Sequence, residues 1–178
     1  MNIKTIPVGE LQANCYILEL GDACLIIDPG AEKDKIIAQV DPAKQVVGII
    51  ITHSHDDHIG ALNDLLFQYK CPIFNSNNLS EGRRNIENFV FSTIYAPGHK
   101  EDEIVLYFEK EKKMFTGDFI FNNGIGRIDL PGGNPIDMKA SITKILNYPD
   151  DITIYPGHGP ITTLGAERNN LNYFKTVI

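Results

Sequence analysis

Residues 52–60 of the chain read THSHDDHIG and contain three of its five histidines. The apolar run immediately before this stretch predicts a buried strand. His53 and His55 are two residues apart on an extended segment, so both side chains leave it on the same side. Asp57 and His58 follow where a helix is predicted to begin. Imidazole and carboxylate groups clustered at a strand-to-helix turn favour a divalent metal of the zinc type.

The other two histidines and one aspartate follow further predicted strands. His99 comes after an apolar run that ends in Pro97-Gly98, and His158 comes after one that ends in Pro156-Gly157. Asp118 directly follows a third apolar run. Loops at strand ends are where proteins built on sheets commonly place their chemistry. Every histidine of the chain is therefore predicted to lie just past a strand, with a glycine nearby.

This order of ligand types resembles the metallo-β-lactamase superfamily, which has His-x-His-x-Asp-His followed by a later His, an Asp and a final His. The resemblance runs from residues 12–16, through the Asp-Pro-Gly of residues 28–30, to residues 156–159. It implies an α/β fold of the αββα sandwich type, in which two mixed sheets are flanked by helices and the metals lie at one edge. A length of 178 residues predicts a single domain over residues 1–178.

The resemblance also implies a site for two divalent metal ions, zinc by expectation, with iron and manganese as alternatives. Each ion would have three ligands of its own, and one carboxylate would bridge the two. The first ion would have His53, His55 and His99, the second would have Asp57, His58 and His158, and the bridge would be Asp118. Asp57 and Asp118 are the residues expected to take part in catalysis.

Seven ligands for two metals leave coordination positions for water, and a metal lowers the pKa of bound water to about 7. The hydroxide formed in this way attacks an electrophilic carbon, and a metal stabilises the oxyanion that develops. The expected chemistry is therefore hydrolysis of an ester-like bond by a metal-dependent hydrolase. Cys15 is a poor alternative nucleophile, because nothing in the sequence indicates a base beside it.

Within the superfamily, the pattern is similar to the glyoxalase II (hydroxyacylglutathione hydrolase) group in its short form. His58 directly follows Asp57, and Asp118 stands where many β-lactamases have a cysteine. This resemblance implies cleavage of a thioester such as an S-hydroxyacyl-glutathione. Only twenty residues follow His158, so the helical C-terminal domain of the full-length enzymes is expected to be missing.

One segment departs from the family pattern, and two nearby cations are candidates for substrate binding. Residues 100–103 read Lys-Glu-Asp-Glu, where family members often have Thr-x-Gly-Ser after the histidine. Lys100 and Arg127 are the cations nearest to the ligands in the sequence. We expect these two side chains to bind an anionic small-molecule substrate.

Alternative functions are compatible with the same motifs. Persulfide dioxygenases resemble the chain too, including a Gly-Arg-x-Asp loop at residues 126–129, and they use one iron that His53, His99 and Asp118 would hold here. A hydrolase of lactones or other esters on the same fold is a further alternative. A non-catalytic metal-binding module is disfavoured, because closed structural sites need fewer ligands.

The amino-acid composition limits the classes of molecule that the chain is expected to bind. The net charge is −7, from 16 basic and 23 acidic residues, and no basic stripe is present to meet phosphates, so nucleic acid is not expected as a partner. The three cysteines include no Cys-x-x-Cys motif, which favours a reduced compartment. No signal peptide or membrane-spanning run is indicated, so the expected location is the cytoplasm, without a membrane contact.

Four local features carry structural predictions. Asp28 is either a turn residue or a carboxylate that orients a metal-bound histidine. Asp56 is predicted to cap the helix that follows the histidine-rich turn of residues 52–58, called the metal turn below. This helix is predicted to run to about Tyr69. Residues 75–88 are predicted to form a loop or a short helix. Asn134 is predicted to cap a helix that begins at Pro135. Two hairpins are also predicted, joining residues 14–20 to 23–27 and residues 104–108 to 113–115.

Overall fold

The computed structural model describes all residues from Met1 to Ile178. The strands are β1 (Asn2–Val8), β2 (Ala13–Leu20), β3 (Ala23–Ile27), β4 (Gln45–Ile50), β5 (Ile73–Phe74), β6 (Gly82–Ile86), β7 (Phe89–Tyr95), β8 (Ile104–Phe108), β9 (Lys113–Gly117), β10 (Ile120–Phe121), β11 (Gly124–Ile125), β12 (Thr153–Pro156) and β13 (Thr162–Thr163). The helices are α1 (Lys33–Ile37), α2 (Asp56–Ile59), α3 (Leu62–Tyr69), α4 (Pro135–Ile145) and α5 (Leu164–Val177).

The strands form two large sheets and one short ribbon. The first sheet has five strands in the order β1-β2-β3-β4-β5, and the second has six in the order β13-β12-β9-β8-β7-β6. Parallel pairs, such as β3 with β4 and β9 with β12, occur beside antiparallel ones in both sheets. The short ribbon joins β10 to β11. Both large sheets are therefore mixed, as the predicted fold class requires.

Three apolar clusters show how the layers pack. The central cluster joins Leu25 of the first sheet to Phe91 and Phe115 of the second, so the two sheets face each other. A second cluster packs α4 and α5 against the six-stranded sheet, and a third packs α1 and α3 against the five-stranded sheet. The resulting order is helices, sheet, sheet and helices, which confirms the predicted αββα sandwich.

Burial on both faces explains why the strands appear as continuous apolar runs. All five residues of β3 are buried, with Leu25 and Ile27 in the core between the sheets and Cys24 and Ile26 in the core under α1 and α3. Successive side chains of a strand point to opposite faces, so a strand covered on both faces needs apolar residues throughout. The same pattern holds for β8.

Strand direction brings the predicted ligands to one edge of the sandwich. In the six-stranded sheet β7, β9 and β12 run in the same direction, because β7 and β9 are each antiparallel to β8 and β12 is parallel to β9. Their carboxyl ends therefore share one edge. The end of β4 in the other sheet joins this edge through the backbone N–H of Ile104, which donates to the carbonyl of Thr52 at 2.9 Å.

The structure corrects the prediction of one continuous helix after the metal turn. The chain forms α2 and α3 instead, with a break at Gly60 and Ala61. The break follows from close packing on the preceding loop: a Cβ on Gly60 would lie 2.3 Å from the carbonyl oxygen of Gly30, and the N–H of Ala61 donates to Pro29 at 2.9 Å. The cap prediction for Asp56 is also wrong, because Asp56 is the first helical residue and no side chain caps α2.

The prediction for residues 75–88 was wrong over its second half. Residues 82–86 form β6, which pairs antiparallel with β7 at the edge of the six-stranded sheet. Only Ile86 of this strand is buried, so its sequence lacks the apolar alternation by which half-buried strands are recognised. An edge strand whose pairing partner supplies the register needs little apolar character of its own.

Other local predictions are confirmed. Both hairpins form, β2 with β3 and β8 with β9. The side-chain oxygen of Asn134 accepts from the backbone N–H groups of Ile136 and Asp137, and Pro135 opens α4. None of the five helices combines the length with the apolar character that crossing a lipid bilayer requires.

Candidate metal centre

The structure brings together the three histidines that the motif assigns to a first ion. His53 and His55 lie between β4 and α2, and His99 lies on the loop after β7. Nδ1 of His55 is 2.9 Å from Nε2 of His99, and the ring centroids of His53 and His99 are 5.1 Å apart. One ring nitrogen from each of the three lies within 4.8 Å of the other two, close enough to bind one ion.

The three side chains assigned to a second ion also converge. Asp57 and His58 lie on α2, and His158 follows β12 at the far end of the chain. Oδ2 of Asp57 is 3.1 Å from Nε2 of His158 and 3.8 Å from Nε2 of His58. These three residues form a separate group of ligand atoms that lie within 4.8 Å of one another.

Asp118 lies between the two groups. Its Oδ2 is 3.6 Å from Nε2 of His99, which belongs to the first group, and 3.6 Å from Nε2 of His158, which belongs to the second. Its Oδ1 is 3.3 Å from Nε2 of His58. Asp118 also forms a third ligand group with His53 and His58. A carboxylate in this position can contact ions held by both groups.

Hydrogen bonds at the rear nitrogens orient three of the rings. Nδ1 of His58 is 3.0 Å from Oδ2 of Asp28, Nδ1 of His99 is 2.8 Å from the carbonyl oxygen of Arg127, and Nδ1 of His158 is 3.0 Å from the carbonyl oxygen of Leu11. These partners only accept, so each Nδ1 carries a proton and Nε2 is the nitrogen that faces the site. Such contacts are those that metal-bound histidines make on their outer side.

Both interpretations of Asp28 hold in the structure. Its φ of 50° places the backbone in the left-handed region, as a turn residue requires. Its carboxylate, with the residue 2% exposed, contacts His58 and also accepts from the backbone N–H and the hydroxyl of Thr52 at 2.8 and 2.6 Å. Asp28 therefore orients one candidate ligand and the start of the metal turn together.

Electrostatics favour the ligand forms of several side chains. Burial, reinforced by the neighbouring imidazoles, holds the pKa of His53 far below its usual range, and burial with His99 nearby lowers the pKa of His55. Both rings are therefore neutral at pH 7, which is the form that binds metals. The hydrogen bond with His158 lowers the pKa of Asp57 to about 2, so that Asp57 is a carboxylate.

The cluster has the donor set and the unsatisfied atoms that fit divalent metal ions. Nε2 of His53, Nε2 of His58 and Oδ1 of Asp118 are buried without a hydrogen-bond partner. Buried polar atoms are rarely left without a partner, and ions held by the two ligand groups would give each of the three a partner. Gly157 keeps the centre open, since a Cβ there would lie 2.2 Å from Oδ1 of Asp118 and 2.8 Å from Cε1 of His58.

The ligand cluster forms the floor of an open cleft of about 520 Å³. Its apolar walls come from three separate segments: Leu11 on the turn between β1 and β2, Phe121 at the end of β10, and Leu130 on the loop before α4. Leu11 is 68% exposed, and Phe121 packs edge-on against His158 with ring centroids 6.1 Å apart. No serine, threonine, cysteine or lysine lines the cleft, so its lining offers none of these side chains as a covalent nucleophile.

The two predicted substrate-binding cations differ in position. Arg127 lines the cleft, but its guanidinium is engaged by Asp129, with Nε and Nη2 donating at 3.0 and 2.8 Å. Lys100 lies outside the cleft lining, and its ammonium group donates to the backbone carbonyl of Ser54 at 3.3 Å. Only Arg127 therefore faces the cleft directly.

Sequence reasoning missed the residues that connect the two sheets behind the site. Asn14 of β2 donates through its side chain to the carbonyls of Pro156 and Gly159 at 3.0 and 2.9 Å, and Tyr16 donates to Pro156 at 2.6 Å. These contacts fix the loop that carries His158, and they join residues at least 140 positions apart in sequence. No local pattern could have indicated such a pairing.

Comparisons with known proteins agree with the geometry. The family model of the metallo-beta-lactamase superfamily matches residues 8–81 and 83–158, a span that contains all seven candidate ligands. The hydroxyacylglutathione hydrolase GloC of Haemophilus influenzae is 32% identical, and the match covers 96% of each chain.

Solved structures give the same result. The BLEG-1 B3 metallo-beta-lactamase matches with a TM-score of 0.90 at 30% identity, over 97% of this chain and 99% of that one. TTHA1623, solved in a di-iron-bound form, matches with a TM-score of 0.86 at 30% identity, over 94% and 98% of the two chains. The motif, the fold and the family match lead to one conclusion: the chain belongs to the metallo-beta-lactamase superfamily.

Proposed function

We propose that this metal-dependent hydrolase binds two divalent ions and cleaves thioesters of the S-hydroxyacyl-glutathione type. The observation that carries the proposal is the arrangement of Asp118 between two complete ligand groups. His53, His55 and His99 would hold one ion, Asp57, His58 and His158 would hold the other, and Asp118 would contact both. GloC, named as a hydroxyacylglutathione hydrolase, supports this substrate class through its similarity over nearly the whole chain.

When bound, the two ions supply Lewis acidity and make hydroxide available near neutral pH. The chain itself contributes charge and orientation. Asp57 and Asp118 place negative charge against both ligand groups, which offsets the repulsion between two cations. Asp28, at 3.0 Å from Nδ1 of His58, holds that ring with its Nε2 toward the centre.

The choice of a thioester follows from what the cleft offers and what it lacks. A thioester carbonyl is a good electrophile, and its thiolate departs without a strong general acid. Asp57, with its pKa lowered to about 2, is unprotonated at neutral pH and cannot act as a general acid. Cys15 is fully buried and burial raises the pKa of its thiol, so a cysteine nucleophile does not compete with this reaction.

Arg127 is the proposed contact for an anionic thiol carrier, and the apolar wall formed by Leu11, Phe121 and Leu130 is the proposed contact for the apolar part of the substrate. Lys100 is the second proposed anion contact. Its ammonium group would need to leave the carbonyl of Ser54 to reach a substrate in the cleft.

The test is a substrate panel on purified protein loaded with zinc. We expect hydrolysis of S-lactoylglutathione and related hydroxyacyl thioesters, loss of turnover after chelation, and recovery when zinc is restored. A lactone and a β-lactam serve as comparison substrates, the latter because BLEG-1 is named a B3 metallo-beta-lactamase. Protein that binds two ions but leaves every thioester intact would exclude the thioester assignment.

The purified protein, loaded with iron instead of zinc, separates hydrolysis from the oxidative alternative. Iron-loaded protein incubated with glutathione persulfide in air should consume no oxygen above the rate of the metal-free protein. Oxygen uptake that depends on iron and persulfide would assign the chain to the persulfide dioxygenases instead.

A further inference from the structure

Glu103 is a fully buried carboxyl group directly behind the metal centre, and the proposed mechanism does not use it. Its side chain has 0% exposure, as does that of His53. Oε1 accepts from the backbone N–H of Asp118 at 3.2 Å and lies 3.4 Å from Nδ1 of His53. Burying a carboxyl group is unfavourable unless its contacts compensate for lost hydration, so this position requires an explanation.

The surroundings of His53 define which of its nitrogens carries the proton. Nδ1 is 3.1 Å from the hydroxyl oxygen of Thr52, and that hydroxyl donates its own hydrogen to Asp28 at 2.6 Å. Toward His53 the Thr52 oxygen can therefore only accept. Oε1 of Glu103 lies on the same side of the ring, 3.4 Å from Nδ1, and offers acceptor lone pairs there. Nδ1 thus faces acceptors alone, and the lone pair lies on Nε2, a buried atom without a hydrogen-bond partner.

The backbone at Gly117 makes room for this arrangement. A Cβ on Gly117 would lie 2.2 Å from Oε1 of Glu103 and 2.5 Å from Oγ1 of Thr52, and its φ of 50° is in the region that favours glycine. The absence of a side chain at residue 117 lets both oxygens reach the rear of His53. It also lets Oε1 hold the N–H of the next residue, Asp118.

We propose that Glu103 is a positioning residue of the metal centre, which with Thr52 fixes His53 in the tautomer that presents Nε2 and fixes the backbone of Asp118. The inference rests on the metal centre of the proposed function but not on its substrate. Oε1 keeps acceptor lone pairs whether or not Oε2 carries a proton, so the role requires an oxygen rather than a charge.

Two substitutions and one control test the role. Glu103→Gln keeps an acceptor oxygen in the same place, whereas Glu103→Leu removes it at similar volume. The control is Glu167→Leu, because Glu167 is also buried, at 2% exposure, but accepts from Asn123 and Thr162. The zinc dissociation constant of each variant is measured by competition with a chromophoric chelator, and circular dichroism of the metal-free protein monitors folding.

We expect Glu103→Leu to weaken zinc binding about 10- to 100-fold, which is the usual effect of removing a partner behind a metal ligand. Glu103→Gln should stay within about 3-fold of the wild type, and Glu167→Leu should lower thermal stability without changing zinc affinity. A folded Glu103→Leu protein with wild-type affinity would overturn the proposal, and so would a Glu103→Gln protein as weak as Glu103→Leu.

A measurement on the wild-type protein decides the case if Glu103→Leu does not fold. Nitrogen-15 NMR of the metal-free protein should show the proton of His53 on Nδ1 and none on Nε2. The opposite tautomer would refute the role of Glu103 while leaving the metal centre intact. Failure of the wild-type protein to bind any zinc would instead refute the metal centre of the proposed function.

Discussion

Among the single residues, Asp118 has the central place in the proposed dinuclear site. It is the one side chain with an oxygen within 3.6 Å of both ligand groups. Asp118→Ala should abolish turnover and weaken binding of both ions, because the variant loses a ligand of each and the charge that offsets their repulsion. Elemental analysis after dialysis and steady-state hydrolysis measure the two effects.

The neighbouring Asp56 provides a matched control on the same turn. It makes no capping hydrogen bond, so Asp56→Ala should change the free energy of unfolding by less than about 0.5 kcal/mol and leave metal content unchanged. An inactive Asp56→Ala protein beside a near-normal Asp118→Ala protein would reverse the assignment of the two carboxylates.

His58 distinguishes the two ions. It belongs to the ligand group with Asp57 and His158, where its Nε2 lies 3.8 Å from Oδ2 of Asp57, whereas His55 and His99 belong only to the group with His53. His58→Ala should therefore reduce metal content from two ions per chain toward one. Zinc counted by mass spectrometry of the native protein reports the number directly, and a variant that still binds two ions would refute the assignment of His58.

Substitutions of Arg127 and Asp129 test whether the Arg127 guanidinium binds an anionic substrate. Arg127→Ala should raise KM for an acidic thioester several-fold with little change in kcat, because the lost contact is remote from the scissile bond. Asp129→Asn should lower KM, since it releases the guanidinium from a pair at 2.8 Å. Unchanged KM in both variants would exclude Arg127 as a substrate contact.

At the scale of elements, the connection between β2 and the loop after β12 positions His158. The side chain of Asn14 makes hydrogen bonds to two backbone carbonyls of that loop. Asn14→Ala should lower the free energy of unfolding by about 1–3 kcal/mol, because it removes two hydrogen bonds to that loop, although Tyr16 still donates to the carbonyl of Pro156. The substitution should also weaken zinc binding by Asp57, His58 and His158 more than zinc binding by His53, His55 and His99. Denaturant unfolding and stepwise zinc titration check the two parts separately.

Elements also show where prediction from sequence succeeds. The seven candidate ligands each follow an apolar run or open a helix, and the family resemblance implied that they meet at one edge, where the structure brings them together. The local sequence pattern predicted the cap at Asn134, because capping depends on neighbours in sequence. Signals of this kind depend only on residues that are close together in sequence.

Prediction from sequence failed for features that tertiary contacts determine. Glu103 lies in the polar run at residues 100–103, which resembles an exposed turn, yet the side chain is buried behind His53. The division between α2 and α3 comes from packing against Gly30, and β6 depends on pairing with β7. Burial and strand pairing of these kinds involve residues distant in sequence, so no local pattern encodes them.

At the scale of the whole molecule, metal binding and folding are coupled. The ligands come from both sheets, so ions that bind only the folded protein must stabilise the sandwich. Free zinc at about 100 times its dissociation constant contributes about 2.7 kcal/mol, which corresponds to a rise in Tm of about 5–10 °C for a domain of this size. Calorimetry with and without a chelator measures the shift, and an unchanged Tm would mean that the cluster does not bind zinc.

Whether two ions act together on a thioester is tested by the rate of S-lactoylglutathione hydrolysis as zinc is added to the metal-free protein. Activity should rise until two equivalents of zinc per chain are present and then stay level. A rate that stops rising at one equivalent would contradict the dinuclear centre, and no hydrolysis at any zinc level would contradict the thioester assignment.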